Sequence, residues 1–181
     1  MPADDSAVSV DASPGDRIKE AVARFGEKDV AERAAALVMG ANAGEEFLLI
    51  VGGRHARGVL DGAPPLYWPE VWGARALTYV WDDSASSAVR LGLANQAWRV
   101  REMCARVVGA RGLPFAEELV PLLTDEVARV RAAGARALGV VGEFENVLPI
   151  TALLKDPDID VRRRAGEALR EASARLDRKI E

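Results

Sequence analysis

Cysteine and histidine occur once each in the 181 residues, as Cys104 and His55. An intrachain disulfide is therefore excluded, and a nitrogen- or sulfur-rich metal site has almost no ligands to draw on. No cofactor or metal is expected. Aromatic residues make up only 6% of the chain while hydrophobic residues reach 49%. Alanine fills much of the difference, which favours helices packed closely through small side chains over a β-rich fold. No apolar run approaches the ~20 residues that span a bilayer, and the opening MPADDSAVSVDASPGD is acidic and lacks the apolar core of a signal peptide. A soluble, cytoplasmic protein is expected. Charge of one sign is also missing: the net charge is −4. Residues 1–97 hold 9 basic and 14 acidic side chains, and residues 98–181 hold 15 and 14. A strong polyanion binder carries a basic domain, so nucleic acid is disfavoured as a partner.

What is present is self-similarity. Around DEVARVRAAGARALG from Asp125, the upstream WRVREMCARVVG from Trp98 and the downstream IDVRRRAGEALR from Ile159 fall into register. Val100, Val130 and Val161 align, as do Arg101, Arg131 and Arg162, and then Val108, Leu138 and Leu169. A period of about thirty residues marks a stacked repeat, each unit burying the apolar face of the next. Trp72 to Val80 is a looser fourth copy, because Gly73-Ala74-Arg75-Ala76-Leu77 is identical to Gly134-Ala135-Arg136-Ala137-Leu138. Short first helices are expected between these second helices, at 85–93, 115–123 and 147–154, with Pro114 at a helix start and Pro121 and Pro149 bending the axis.

Upstream, residues 1–14 show no periodic apolar face and are expected to be a disordered tail. Ile18, Ala21, Val22 and Phe25 share one face of a helix from Gly15 that ends at Gly26. A second helix is expected from an N-cap at Asp29 towards Gly40. EEFLLIV, residues 45–51, reads as a buried helix opened by two glutamates, and a shorter helix follows from His55 to Leu60. Residues 15–65 thus read as N-terminal capping helices and 66–181 as repeats, in one continuous domain.

The stretch from Leu66 to Ala174 resembles HEAT repeats, in the short variety first noticed in phycobilin lyase subunits. The resemblance rests on DEVARVRAAGARALG, DPDIDVRRRAGEALR from Asp156 and NQAWRVREMCARVVG from Asn95. It implies an all-α fold: a right-handed α-solenoid of helical hairpins whose second helices line a concave, protein-binding surface. It also implies a structural ladder between neighbouring repeats, formed by Asn95 and Arg101, Asp125 and Arg131, and Asp156 and Arg162. The chemistry agrees, since an acid in the turn and an Arg in the next helix's first turn can exchange charge-assisted bonds. In the earliest repeat Pro64 and Glu70 replace the acid and the Arg, so the ladder should stop there. The polar last helix, with Arg162, Arg163, Arg164, Glu167, Arg170 and Glu171, suits a terminal repeat.

Two surfaces are candidates for partner binding. Arg75, Arg106 and Arg136 occupy equivalent positions of three second helices, with Arg99 and Arg129 able to widen the row; guanidinium groups so placed can receive carboxylates or phosphates. The plainer alternative is a set of solvated charges paired with nearby Glu. Trp68 and Trp72, one helical turn apart among Tyr67, Tyr79, Trp81 and Trp98, form either an aromatic pocket edged by Asp82 and Asp83 or a large-residue core. The carboxylate pairs Glu45-Glu46, Asp82-Asp83 and Glu117-Glu118 are sequence neighbours that do not face each other on a helix, so none makes an acid/base dyad. No phosphate-binding glycine motif occurs. The leading expectation is a non-catalytic protein-binding scaffold whose protein or peptide partner has an acidic surface. HEAT-like alkylpurine DNA glycosylases and phycobilin lyase-like proteins are the enzymatic alternatives that the resemblance raises.

Overall fold

The computed structural model describes residues 8–176, and those residues are all helix, turn and loop. They divide into two compact units, one ending at Ala85 and the other beginning at Ser86. The helix at Trp68–Ala76, read above with the repeats, lies in the first unit.

The first unit holds α1 (Pro14–Phe25), α2 (Glu27–Val38), α3 (Glu45–Gly52), α4 (Arg54–Leu60) and α5 (Trp68–Ala76), then one 3-10 turn at Asp83–Ala85. Ser13 caps α1, its Oγ accepting from the Asp16 N–H at 3.2 Å, and Pro14 follows in the first turn, where its missing N–H costs nothing. Gly26, at φ 87, ends α1 and opens α2 at once. Asp29 is therefore not the N-cap: it lies in the first turn of α2 and pairs with Arg33 at 2.8 Å. Of the expected disordered tail, residues 1–7 lie outside the described residues. From Val8 onward the chain is tied down: Val8 is buried, and Arg17 Nη1 donates to the Val10 and Ala12 carbonyls.

The core of this unit is Ile18, Val30, Phe47, Ile50, Trp72 and Leu77. α2 and α5 approach so closely that a Cβ on Gly73 would lie 2.5 Å from the Ala34 carbonyl oxygen. α5 also starts earlier than the pattern suggested and stops at Ala76. The Thr78 hydroxyl donates to the Arg75 carbonyl at 2.7 Å, offering the backbone a turn in place of another helical bond. Leu66, just before α5, sits at φ 48, a conformation that costs a branched residue about 1–3 kcal/mol.

The second unit is three helical hairpins: α6 (Ser86–Gly92) with α7 (Trp98–Arg111), α8 (Ala116–Leu119) with α9 (Ala128–Val141), and α10 (Val147–Ala152) with α11 (Ile159–Leu176). The second helices pack in series, α7 on α9 and α9 on α11. Val100, Val130 and Val161, aligned in the repeat, are all fully buried. Small residues set the spacing, since a Cβ on Gly139 would lie 2.7 Å from the Ala168 Cα. The first helices are shorter than expected. After Leu119 the chain tightens into a 3-10 segment, Val120–Thr124, because Pro121 has no N–H to continue the α pattern. Pro149, by contrast, lies in the first turn of α10, where that N–H has no partner to lose. This succession of helical hairpins, with second helices stacked in series, is an α-solenoid.

Candidate interaction surface

The turns before α7, α9 and α11 are built alike. Asn95, Asp125 and Asp156 each accept, through Oδ1, the backbone N–H two residues on, at 2.8, 2.9 and 2.9 Å. Asn and Asp make this turn because their short side chains mimic a backbone carbonyl. Arg101, Arg131 and Arg162 reach back through Nη1 to the carbonyls of residues 95, 125 and 156, at 2.8, 2.9 and 2.7 Å. The rest of the guanidinium fork points to the next repeat. Arg101 grips Asp125 at 2.7 and 3.1 Å, and Arg131 grips Asp156 at 2.7 and 2.8 Å. Burial works to raise the Asp125 pKa, but the bonds from Arg101 and the Val127 N–H hold it below the ordinary range. The Arg131 bond does the same for Asp156. Such paired forks fix both distance and orientation between repeats, and so set which faces of α7 and α9 turn outward.

On those faces lie four of the five arginines singled out from the sequence. Arg99 and Arg106 are on α7, and Arg129 and Arg136 are on α9. Arg106 and Arg129 converge on Glu102. Its Oε1 accepts from Arg106 Nη2 at 2.7 Å and from Arg129 Nε and Nη2 at 3.2 and 3.1 Å. The Glu102 side chain is 6% exposed, whereas those of Arg106 and Arg129 are 52% and 64% exposed. A buried carboxylate therefore holds two exposed guanidiniums. Arg99 lies 4.2 Å and Arg129 5.6 Å from the Trp98 ring centroid, a flat support for both cations. Arg136 is exposed and makes no hydrogen bond or ion pair among the described residues. Two of the four guanidiniums thus converge on one carboxylate, the only one in α7 or α9.

The reading of solvated charges paired with nearby Glu describes Arg106 and Arg129 in part, and Arg136 not at all. Glu102 was not among the expected site residues, and Trp98 was grouped with the aromatic cluster rather than with the arginine row. Their signal was weak, because their counterparts one repeat later are Ala132 and Ala128. On α11 the equivalent surface is neutralised within the helix. Arg163 pairs with Asp160 at 2.8 Å and Arg164 with Glu167 at 2.6 Å.

The remaining candidates, in the first unit, are placed differently. Arg75 is half-buried and donates through Nη2 to the Val51 carbonyl at 2.7 Å. Arg17 donates through Nε to the neighbouring Ile50 carbonyl at 2.6 Å. Both guanidiniums thus satisfy the C-terminal carbonyls of α3, where a helix favours cations, and burial followed by proximity to Arg17 lowers the Arg75 pKa. Arg75 is committed to its own fold rather than to an outward row. Trp72 is 4% exposed and packs against Gly52, so it is a core residue and not a partner contact. Trp68 is half-buried beside it, with ring centroids 6.4 Å apart. Asp82 accepts the Ser84 N–H at 3.0 Å and Asp83 the Trp81 indole N–H at 3.1 Å. Both carboxylates are used within that turn.

Burial pushes the Cys104 thiol up to about 12, which leaves it protonated and unreactive. Among the described residues no group of His, Cys, Asp and Glu is placed to hold a metal ion. No described helix is long and apolar enough to cross a membrane. No curated protein matches the sequence. A family model does match, that of HEAT repeats, over residues 86–170, the stretch that forms the three hairpins up to Arg170 of α11. Residues 86–170 thus carry HEAT repeats.

Proposed function

We propose that the chain is a non-catalytic interaction module whose second unit binds a protein partner through an acidic surface or segment. Repeats of this family generally mediate protein interactions, and the partner's charge is inferred from one arrangement. Arg99, Arg106, Arg129 and Arg136 share the outward faces of α7 and α9 with a single carboxylate, Glu102, which is buried beneath them. Holding a guanidinium in place before the partner arrives lowers the side-chain entropy lost on binding, about 0.5–1.5 kcal/mol per immobilised side chain. Arginine presents planar donors that match a carboxylate two bonds at a time. A protein partner fits better than a duplex, because residues 86–181 carry 16 basic and 14 acidic side chains, too small an excess to neutralise a phosphate backbone.

Titration with a fluorescent glutamate-rich peptide tests this reading. The wild-type chain should bind it with an affinity that falls as salt rises, as expected for exposed charges. Arg106→Glu/Arg136→Glu should weaken binding by about tenfold or more. Equal binding by the variant, or a clear preference for duplex DNA over the peptide, would contradict it.

A further inference from the structure

The first unit carries a second surface that does not depend on the arginine face. A groove of about 400 Å³ opens between the Gly40–Gly44 loop, α4 and the start of α5. Of its lining residues Leu37 is buried, and Leu48 and Val59 are half-buried. Leu60 and Leu66 stand exposed at 37% and 67%. Leu66 is the residue held at φ 48. A leucine kept both solvent-exposed and in a left-handed backbone conformation gains nothing for the isolated fold. Strain of this kind gathers where a ligand is gripped, and exposed apolar side chains around a concavity are the pattern of a docking site.

Charge decides what docks. Glu45 and Glu70 line the groove, and neither pairs with a cation among the described residues. No Lys, Arg or His lines it. Residues 1–85 hold 8 basic and 14 acidic side chains. We infer that this groove binds a short apolar peptide segment flanked by basic residues, its apolar side chains entering between Leu60 and Leu66 and its cations meeting Glu45 and Glu70. An acidic segment of the kind suited to α7 and α9 would be repelled here, so the two surfaces select partners of opposite charge.

The test uses the full chain carrying Arg106→Gln/Arg136→Gln, so that the arginine face does not capture the acidic probe, and two labelled peptides with the same leucines, one flanked by lysines and one by glutamates, read by fluorescence anisotropy. The lysine peptide should bind at least about tenfold more tightly than the glutamate peptide. Glu45→Gln/Glu70→Gln should bring the two within about twofold, and Leu66→Asp should weaken both by about tenfold. Leu66→Gly separates anchor from fold: it relieves the positive φ, so the melting temperature should hold or rise while binding still falls. The wild-type chain should bind the lysine peptide as tightly as the Arg106→Gln/Arg136→Gln chain does, which keeps this site distinct from the arginine face. The inference is overturned if the two peptides bind alike, or if the Leu66 variants retain the affinity of the Arg106→Gln/Arg136→Gln chain. A concentration-dependent dimer that Leu66→Asp abolishes would also overturn it, by making a second copy of the chain the occupant.

Discussion

The same five residues, Gly-Ala-Arg-Ala-Leu, occur at 73–77 and at 134–138, one set in each unit. In both the glycine faces a neighbouring helix, the leucine is fully buried and the arginine leaves the core. There the likeness ends. Arg75 meets the end of α3 and gives a hydrogen bond to Val51, whereas Arg136 meets solvent. Local pattern sets which way a side chain leaves its helix, but what waits there is set by a different part of the chain. An identical motif therefore serves as a helix-end clamp in one unit and as part of an outward basic face in the other.

Substitutions at matched positions can break this comparison. The largest difference is expected at the glycines. A Cβ at Gly73 would meet the Ala34 carbonyl oxygen at 2.5 Å, and backbone yields little. At Gly134 it would meet the Leu122 Cβ at 2.9 Å, with backbone atoms no nearer than 3.6 Å, so a smaller displacement of the 3-10 segment relieves it. Gly73→Ala should cost about 3 kcal/mol and Gly134→Ala about 1 kcal/mol in urea unfolding, within the range for overpacked cores. Equal costs would mean that the two helix contacts are equally yielding.

The tie between repeats comes next, and the first unit shows no counterpart at Pro64 and Glu70. Arg131→Ala strands the Asp156 carboxylate, and a loss of about 2–3 kcal/mol at neutral pH is expected for removing one partner of a shielded pair. The Asp156 pKa is lowered in the folded state, chiefly by its bond from Arg131. The pair's contribution is therefore fully present above the unfolded carboxylate range, near pH 4, and is lost as pH falls through the lower folded value. Unfolding measured from pH 7 to pH 3 should show the gap between wild type and Arg131→Ala closing at the acid end. A gap independent of pH would assign the loss to packing instead. Smallest is the arginine pair itself. Arg75→Ala should lose about 1 kcal/mol by leaving the Val51 carbonyl without its partner, while Arg136→Ala should stay within about 0.5 kcal/mol of wild type. Circular dichroism melts of the two variants would settle whether one motif has two roles.

How much of this could be read from the residues follows from the same distinction. Val100, Val130 and Val161, and the spacing from Asp125 to Arg131 and from Asp156 to Arg162, repeat along the chain, so the hairpins and their turns were legible. The helix at 45–52 was legible too, from its length and its glutamate start. Arg75 was not: its alignment with Arg136 is sound, but α3 is twenty-odd residues away and has no counterpart beside α9. Glu102 was missed for the opposite reason, since it occurs in one repeat only and periodicity highlights what recurs. The early end of α5 was not legible, because the turn that replaces its last bonds, with the Thr78 N–H and hydroxyl both donating to the Arg75 carbonyl, is not encoded in an apolar pattern.

The central claim is that α7 and α9 present a face for an acidic protein partner. The most direct measurement is affinity capture from source-cell lysate, with wild type beside Arg106→Glu/Arg136→Glu after circular dichroism has shown both folded. The account predicts a protein retained by wild type and lost by the variant, released from wild type by salt. The same proteins captured by both, or nucleic acid alone retained by wild type, would contradict it.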